Sequence, residues 1–355
     1  MNLKISIRII FILFTIFLIQ SCKEENADSD KAVVEFSFSD NLSTVFGETV
    51  PLKIQILDKN ITKLELIFED SVFKTWSNPQ ADLTFNLDLK GYGVGAKSIR
   101  LVAQLSDDSE QVDQRIVRIV SDVSPESKTA RIVNSFPHNS TSFTQGLEFH
   151  DNILFESTGD PNRTAATMVA QVELETGKII NKNGLDASYF GEGITILDGV
   201  LYQLTWTQQK CFIYDAKTLE IKPKQFTYTG EGWGLTNDGK YLIMSDGTER
   251  LVFRDPKNFQ VVKSIEVYDN VGPRSKLNEL EYINGKIYAN VWMLDMILEI
   301  DPETGKVLSE IDLASSAALG RSGGDVLNGI AHNPSNNKIY VTGKYWSKLF
   351  EVVFE

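Results

Sequence analysis

The stretch FTQGLEFHDNILFEST (residues 143–158) contains two short motifs that decide the fold, because both recur four more times towards the C-terminus. The first motif is a polar or aromatic residue, usually followed by glycine and then an aliphatic residue. Its key residues are Gln145, Glu192, Trp233, Asn278 and Asn328, which are spaced 47, 41, 45 and 50 residues apart. The second motif ends a β-rich run 13 to 16 residues later, at Thr158, Trp206, Asp246, Trp292 and Lys344. Repeats of about 45 residues with several short strands are typical of propeller blades, so the sequence predicts an all-β, five-bladed β-propeller over residues 131–355. The alternative is a sandwich or barrel with accidental similarity between its segments.

The two motifs also predict a common site. In an antiparallel hairpin the start of one strand and the end of the next are neighbours, and equivalent positions of successive blades encircle one axis. We therefore expect the ten key residues to converge on one rim. Four of the five tryptophans lie in or beside these motifs, and an aromatic-walled pocket with a few polar groups is typical of a small-ligand site. The alternative is that the tryptophans are wedges between blades. The four tryptophans are Trp206, Trp233, Trp292 and Trp346.

Three polar residues of the motifs have a chemical and a structural interpretation. Glu192 lies between two glycines, and burial near Phe190 and Trp206 would raise the pKa of its carboxyl towards useful acid/base values. It could equally be a structural glutamate that accepts backbone N–H groups from a turn. Asp246 is interpreted as a turn residue in preference to a metal ligand. Lys344 is either a pocket residue or a surface lysine.

Residues 32–125 alternate apolar and polar residues with a period of two. The alternation occurs in AVVEFSFS, VPLKIQILD, KLELIFED, DLTFNLDL, SIRLVAQLSD and QRIVRIVSD. Several short strands separated by turn residues predict a small antiparallel sandwich of immunoglobulin type. No cluster of polar residues indicates chemistry here, so we expect a spacer or docking module. The linker to the propeller is predicted at residues 123–127.

The first 21 residues predict a lipoprotein signal peptide. Lys4 and Arg8 precede an apolar run from Ile9 to Ile19, which is too short to span a bilayer but suits a signal-peptide core. The run ends in LIQSC, which resembles a bacterial lipoprotein box, and this predicts cleavage before Cys22 and acylation of its sulfur. Residues 22–31 are then a polar tether. The prediction is an exported protein with a lipid anchor, beyond the inner membrane and most simply on the outer one; the alternative is an ordinary secretory signal.

Composition excludes several classes of function. The formal net charge of −13, or −15 without the leader, argues against a nucleic-acid partner, which needs a basic face. Three histidines and two cysteines exclude a disulfide scaffold and a Cys/His zinc cluster. Cys211 lies in an apolar strand and is expected to be a buried, inert thiol. The chemistry must therefore depend on carboxylates, amides, lysine and aromatic rings.

Nine motifs of the repeat region together resemble the plant and bacterial type of glutaminyl-peptide cyclotransferase. They occur in order over essentially all of residues 131–355, but not over the predicted sandwich or the leader. The motifs are FTQGLEF, LFESTG, FGEGITIL, EGWGLTNDG, SDGT, LNELEYING, IYANVW, VLNGIA and VTGKYWSKLFEV. The resemblance implies a five-bladed propeller that converts N-terminal glutamine into pyroglutamate and releases ammonia, and that is unrelated to the zinc-dependent animal enzyme.

The resemblance also implies roles for individual residues. It assigns the acid/base to Glu192 of the FGEG motif. It assigns the substrate pocket to Phe143, Gln145, Phe190, Trp206, Trp233, Asn278, Trp292 and Lys344. All of these positions match the family in residue type, although the spacing before Lys344 is shorter than in plant members. No cofactor is required, and the implied partners are peptides or proteins that begin with glutamine, bound by a monomer. Plant members carry a disulfide and can hold an ion in the central channel; the cysteines here cannot form that disulfide, which leaves the ion open.

Two other classes of function stay open at this stage. The propeller could be a non-catalytic peptide-binding module at the cell surface. It could also be a metal-dependent, lactonase-like hydrolase, which would need Asp, Asn or Glu ligands at the channel; Asn278, Glu279 and Asn328 are the residues available for that.

Overall fold

The computed structural model describes residues 31–38, 40–164 and 166–355. The predicted signal peptide, Cys22 and the rest of the tether before Lys31 lie outside the described residues. Within them the chain is all-β, with one short helix, α1 (Ala314–Gly320), among its strands. No helix in the described ranges is long and apolar enough to cross a membrane.

The N-terminal region forms two sheets with one hydrophobic core between them. Its strands are β1 (Val34–Phe36), β2 (Asn41–Val45), β3 (Thr49–Ile56), β4 (Ile61–Phe68), β5 (Ser71–Ser77), β6 (Leu83–Asp88), β7 (Gly95–Leu105) and β8 (Glu110–Val120). One sheet has the order β1-β3-β6 and the other β2-β8-β7-β4-β5. Alternate residues of both sheets, such as Ile54 and Leu101, are fully buried in the shared core, as period-two patterning requires.

Two features of this region differ from the sequence-based expectation. Strands β2 and β5 were not predicted, because their residues are exposed or half-buried and lack a clear apolar alternation. The pairing is antiparallel, as expected, except that β2 pairs with β8 in parallel.

The repeat region forms five antiparallel groups of four strands. Its strands are β9 (Glu126–Pro137), β10 (Phe143–His150), β11 (Ile153–Gly159), β12 (Met168–Glu173), β13 (Lys178–Gly184), β14 (Gly191–Leu197), β15 (Val200–Thr205), β16 (Lys210–Asp215), β17 (Ile221–Thr227), β18 (Leu235–Asn237), β19 (Leu242–Ser245), β20 (Arg250–Arg254), β21 (Val261–Glu266), β22 (Leu277–Ile283), β23 (Lys286–Val291), β24 (Met296–Ile300), β25 (Val307–Asp312), β26 (Leu327–Asn333), β27 (Lys338–Gly343) and β28 (Lys348–Phe354). Four groups follow chain order, namely β10 to β13, β14 to β17, β18 to β21 and β22 to β25. The first strand carries the first motif in four groups, and in the third group the motif leads directly into β18.

The fifth group joins the two ends of the repeat region. Its order is β26-β27-β28-β9, and residues 130–137 of β9 pair antiparallel with β28. The start of β9 also pairs in parallel with β25 of the fourth group. Consequently, Glu126 and Ser127 of the predicted linker belong to a strand. The outermost strand of the last group comes from the N-terminal end of the region, which links the last sheet to the first.

The glycines of the first motif are explained by how closely the first strands of neighbouring groups approach each other. A Cβ added at Gly146 would lie 2.6 Å from the backbone nitrogen of Ile194, and one added at Gly193 would lie 2.4 Å from that of Leu235. Cβ atoms do not tolerate such distances, so only glycine lets these backbones touch. The repeated glycine therefore indicates the contact between adjacent sheets.

Hydrogen bonds connect the N-terminal region to the third and fourth strand groups. The Glu266 carboxylate, at the end of β21, accepts from the Ala96 backbone at 2.8 Å and lies 3.3 Å from the Lys97 ammonium. The Val94 N–H donates to the Thr304 carbonyl at 2.9 Å, in the turn between β24 and β25. No residue of β1 to β8 lines the cavity that the five strand groups enclose.

Candidate active site

The polar residues of the first motif project from the sheets because a β-bulge interrupts pairing at the start of four first strands. The register skips Gln145 in β10, Glu192 and its neighbour in β14, Asn278 in β22 and Asn328 in β26. A bulged residue leaves the ladder and its side chain is redirected. In the third group, Trp233 takes the equivalent place just before β18.

One cavity of about 510 Å³ gathers nine of the sequence-predicted residues. These are the predicted acid/base and all eight predicted substrate-binding residues: Phe143, Gln145, Phe190, Glu192, Trp206, Trp233, Asn278, Trp292 and Lys344. They come from all five strand groups. The residues of the two motifs, 40 to 50 positions apart in sequence, are therefore neighbours in space, as the spacing argument expects.

Aromatic rings form most of the wall. Successive ring centroids are separated by 6.0 Å between Phe143 and Phe190 and by 5.8 Å between Phe190 and Trp206. On the other side Trp233 and Trp292 meet edge to face at 5.7 Å. Such edge contacts are a favourable geometry for aromatic pairs. Trp206 and Trp292 remain 40% and 38% exposed, so the wall extends to the mouth of the cavity.

Glu192 is the buried carboxyl of this cavity. Its side chain is almost fully buried, and Oε1 accepts a hydrogen bond from the Gln145 amide at 3.0 Å. Burial raises the pKa of the Glu192 carboxyl well above its usual 4.5; the positive charge of Lys344 opposes that rise and the negative charge of Glu231 adds to it. A carboxyl with a raised pKa can both accept and donate a proton near neutral pH.

A chain of amides fixes the orientation of Gln145. Asn328 Nδ2 donates to the Gln145 side-chain oxygen at 3.2 Å and to the Thr144 carbonyl at 3.0 Å. Since the Gln145 oxygen accepts from Asn328, its amide nitrogen must point to Glu192. Gln145 therefore donates to the carboxylate, an interaction that favours the ionised form.

Two further polar groups in the cavity are incompletely satisfied. Lys344 is 5% exposed, its Nζ lies 4.7 Å above the Phe143 ring, and within the described residues it forms no ion pair. Burial lowers the pKa of the Lys344 amine below 10.5, opposed by the charges of Glu192 and Asp325. The buried Asn278 Oδ1 has no hydrogen-bond partner among the described residues, although it can accept one. A ligand that offers an N–H group to Asn278 and an acceptor oxygen to Lys344 would complete this site.

Three of the ten key residues do not line the cavity. Thr158 stays within β11, paired with Thr144, whereas Trp206 and Trp292 each follow the last residue of their strand. Asp246 closes a turn, accepting from the Thr248 N–H at 3.1 Å, as the sequence favours. Asn328 lies behind Gln145 and donates to its side-chain oxygen at 3.2 Å, so it is close to the cavity without lining it.

Two other sequence expectations have clear outcomes. Trp346 is fully buried against α1 and β28, and its indole N–H donates to the Asp325 carbonyl at 2.8 Å. It therefore packs the core and does not line the pocket. Cys211 is fully buried, as expected, and burial raises the pKa of its thiol.

The cavity mouth also contains residues that the motifs did not indicate. They belong to the loops that follow β11, precede β14, follow β15 and precede β26: Asp160, Pro161, Arg163, Ala187, Ser188, Tyr189, Thr207, Gln208 and Asp325. These loops differ in length and sequence between repeats, so periodicity does not reveal them. Among them, Asp160 has a clear structural role, because its buried carboxylate accepts a hydrogen bond from the Ala166 N–H at 3.0 Å and shapes its loop.

Three buried glutamates lie between the first strands and outside the cavity lining. Glu279 accepts from the Leu147 N–H at 3.1 Å and the Ile330 N–H at 2.8 Å, which joins three strand groups. Glu148 and Glu281 accept from neighbouring strands in the same way. Within the described residues, no group of three or more His, Cys, Asp or Glu side chains is arranged to hold a metal ion.

Comparisons with known proteins agree with this geometry. The family profile described as glutamine cyclotransferase matches residues 97–354. A glutaminyl-peptide cyclotransferase from Arabidopsis thaliana is 41% identical over 237 residues, which cover 65% of this chain and 73% of the plant protein. The crystal structure of Myxococcus xanthus glutaminyl cyclase is 37% identical and superposes with a TM-score of 0.60, covering 65% of this chain and 99% of that one. The resemblance inferred from the nine motifs is confirmed.

Proposed function

This chain belongs to the glutamine cyclotransferase family and is an enzyme of that type, and from this premise we propose a reaction and a role for each cavity residue. The reaction converts the N-terminal glutamine of peptides or proteins into pyroglutamate with release of ammonia. The observation that carries it is Glu192, one buried carboxyl in an aromatic cavity, held by the Gln145 amide at 3.0 Å.

The chemistry needs proximity and one proton transfer. The α-amine of the substrate attacks the Cδ carbon of its own side-chain amide, forming a C–N bond; the bond from Cδ to the amide nitrogen then breaks, and that nitrogen leaves as ammonia. Because the new ring has five members, holding the glutamine curled between Trp206, Trp233 and Trp292 supplies much of the rate. The aromatic walls also exclude water from the reacting atoms.

Glu192 moves the proton between the two nitrogens. It accepts a proton from the attacking amine and delivers one to the leaving nitrogen, a role worth roughly 10²- to 10⁴-fold in rate. An N-terminal amine has a pKa near 8, far above that of an ordinary glutamate. The raised pKa of the Glu192 carboxyl brings the two closer together, so the transfer needs less free energy than it would with an ordinary glutamate.

The remaining polar groups orient the substrate. We assign to the orphan oxygen of Asn278 an N–H group of the substrate, since it is a buried acceptor with no partner among the described residues. The Lys344 ammonium supplies positive charge where the carbonyl oxygen becomes an oxyanion. Gln145 holds the Glu192 side chain in position, and its amide N–H favours the ionised carboxylate.

The architecture is proposed to be a five-bladed β-propeller preceded by an immunoglobulin-like sandwich. Five groups of four strands, with β9 joining the last group, support the propeller. Two sheets around one core support the sandwich over residues 32–125. We further propose, from the sequence alone, an exported monomer anchored through a lipid on Cys22. Loss of membrane association in Cys22→Ala, followed by cell fractionation, would test the anchor.

The reaction can be tested by mass spectrometry of a glutamine-initiated peptide incubated with the protein. The expected result is loss of the mass of one ammonia, faster than the spontaneous rate and unchanged by EDTA. An N-acetylated peptide of the same sequence, which has no free amine, should not react. Turnover that never exceeds the spontaneous rate, together with measurable peptide binding, would favour the non-catalytic binding module instead. Sensitivity to EDTA would favour the metal-dependent alternative.

A further inference from the structure

A second carboxylate, Glu231, joins two tryptophans of the cavity wall. Its Oε2 atom accepts a hydrogen bond from the indole N–H of Trp206 at 2.7 Å and from that of Trp233 at 2.9 Å. Glu231 does not itself line the cavity. One oxygen atom therefore fixes two aromatic side chains that come from different strand groups.

The backbone around Glu231 is fixed from both sides. Gly230 has a φ of +85°, which favours glycine and turns the chain. The Gly232 N–H donates to the Trp206 carbonyl at 3.1 Å, and a Cβ added at Gly232 would lie 2.3 Å from the Tyr228 hydroxyl. The loop that carries Glu231 is thus tied to the end of β15, so its carboxylate has little freedom to leave the indoles.

The aromatic wall consists of two separate parts. Phe190 contacts Trp206 on one side, and Trp233 contacts Trp292 on the other, while within the described residues no ring contact joins Trp206 to Trp233. Trp206 is 40% exposed, so packing alone restrains its ring poorly. The Glu231 carboxylate is the connection between the two parts, and hydrogen bonds to a charged acceptor are short and strong.

We propose that Glu231 is a positioning residue that holds the Trp206 and Trp233 rings at the separation that fits a glutamine side chain. This inference rests on the proposed function, because it assigns the two rings to substrate binding. The positioning role depends on the acceptor oxygen, whereas the negative charge of Glu231 acts separately by adding to the rise in the pKa of Glu192. A glutamine at position 231 keeps an acceptor oxygen, whereas an alanine has none, and the two variants therefore separate these roles.

The test measures steady-state kinetics and tryptophan fluorescence on Glu231→Ala and Glu231→Gln. Glu231→Ala should raise KM about tenfold while kcat changes less than about threefold, since binding of the side chain weakens more than the chemistry. It should also increase the quenching of tryptophan fluorescence by acrylamide, because the indole rings become more accessible. Glu231→Gln should stay within about threefold of wild type in KM and retain the quenching of wild type.

Two controls distinguish the possible failures. Glu220→Gln removes an exposed carboxylate in the same strand group as Trp206 and should leave all parameters unchanged. If Glu231→Ala unfolds, Glu231→Gln and Trp206→Phe still measure the two ends of the hydrogen bond. The proposal is overturned if Glu231→Ala matches Glu220→Gln in KM and quenching, or if Glu231→Gln loses as much as Glu231→Ala. A wild-type protein without turnover would refute the proposed function, while the quenching data would still decide whether Glu231 fixes the indoles.

Discussion

Replacing Gln145 by methionine removes the amide that holds Glu192 without removing the side-chain volume. The substitution deletes the 3.0 Å hydrogen bond to Glu192 Oε1. Asn328 loses its contact with the Gln145 oxygen but keeps its hydrogen bond to the Thr144 carbonyl. We therefore expect the fold to persist and the chemistry of Glu192 to change.

The size of the change follows from the hydrogen bond. Bonds to charged groups contribute about 1.5–3 kcal/mol, and about 1.4 kcal/mol corresponds to one pKa unit. Losing a donor to the carboxylate disfavours its ionised form, so the pKa of Glu192 should rise further and the ionised fraction on the acid side should fall about 10- to 100-fold. Lys344 still lowers that pKa, and burial and the Glu231 charge still raise it.

The assay is the pH dependence of kcat/KM on one glutamine-initiated peptide for wild type and Gln145→Met. Dividing the two profiles cancels the titration of the peptide amine, because both enzymes act on the same substrate. The ratio of wild type to variant should be about 10 to 100 on the acid side and should shrink as the pH rises through the new pKa. Rates that recover at high pH would show that the site is intact.

A ratio that does not vary with pH would refute this reasoning, since Gln145 would then bind substrate without acting on Glu192. Gln171→Met is the matched control. It removes a similarly buried amide, which donates to the Ala216 carbonyl at 3.1 Å between the first and second strand groups and does not line the cavity. Its profile should overlay that of wild type.

Three further predictions concern the buried cation, a glycine of the first motif and a glutamate between the strands. Lys344→Met should lower kcat/KM by about 10- to 100-fold without lowering the unfolding temperature, because a buried charge favours the transition state but costs stability; equal kinetics would contradict this. Gly193→Ala should lower the unfolding temperature by several degrees, since its Cβ would lie 2.4 Å from the Leu235 backbone nitrogen, whereas Gly184→Ala, whose nearest atom is 3.6 Å away, should not. Glu279→Gln should cost about 1–3 kcal/mol in urea unfolding, because an amide nitrogen cannot accept a backbone N–H. Burial raises the pKa of Glu279 in the folded state, so wild type loses stability as the pH rises above about 4.5, whereas the variant does not. The difference in unfolding free energy between wild type and variant should therefore shrink with rising pH. A difference that grows instead would contradict the direction of this pKa shift.

The sequence predicted the first and second strands of each group because one local rule governs both. Neighbouring first strands touch, as at Gly146 and Ile194, so a glycine recurs beside the functional position. In the fourth group Glu279 replaces that glycine and bonds to two other groups. A motif with a physical cause in every repeat is visible in a single sequence.

Other parts of the structure depend on long-range contacts that leave little local signal. The pairing of β9 with β28 joins residues more than 200 positions apart, and nothing in the residues of β9 indicates its partner. The parallel pairing of β2 with β8 also joins residues that are distant in sequence, such as Asn41 and Ile116, without a local signal for the partner. The exposed strands and the loops at the cavity mouth follow no period, which is why Asp160 and Arg163 were missed.

The burial of individual residues was predictable only where the motif fixed it. The sequence alone also allows Lys344 to be a surface lysine, whereas in the structure its side chain lies over Phe143. Trp346, two residues later, points the other way into the core and packs against Phe350. Lys344 and Trp346 both lie in the turn after β27, where Tyr345 has a φ of +60°, so the alternation of a strand no longer applies and sequence spacing alone does not separate them.

The most direct test of Glu192 as the acid/base compares kcat for Glu192→Gln with kcat for Glu220→Gln. The substrate is a glutamine-initiated peptide, and ammonia release and mass loss are followed together. The amide keeps the size of Glu192 and can still bond to Gln145, but it cannot move a proton. Glu192→Gln should fold and lose about 10²- to 10⁴-fold in kcat, whereas Glu220→Gln should match wild type. A Glu192→Gln enzyme within about threefold of wild type would contradict the role of Glu192 as the acid/base of this site.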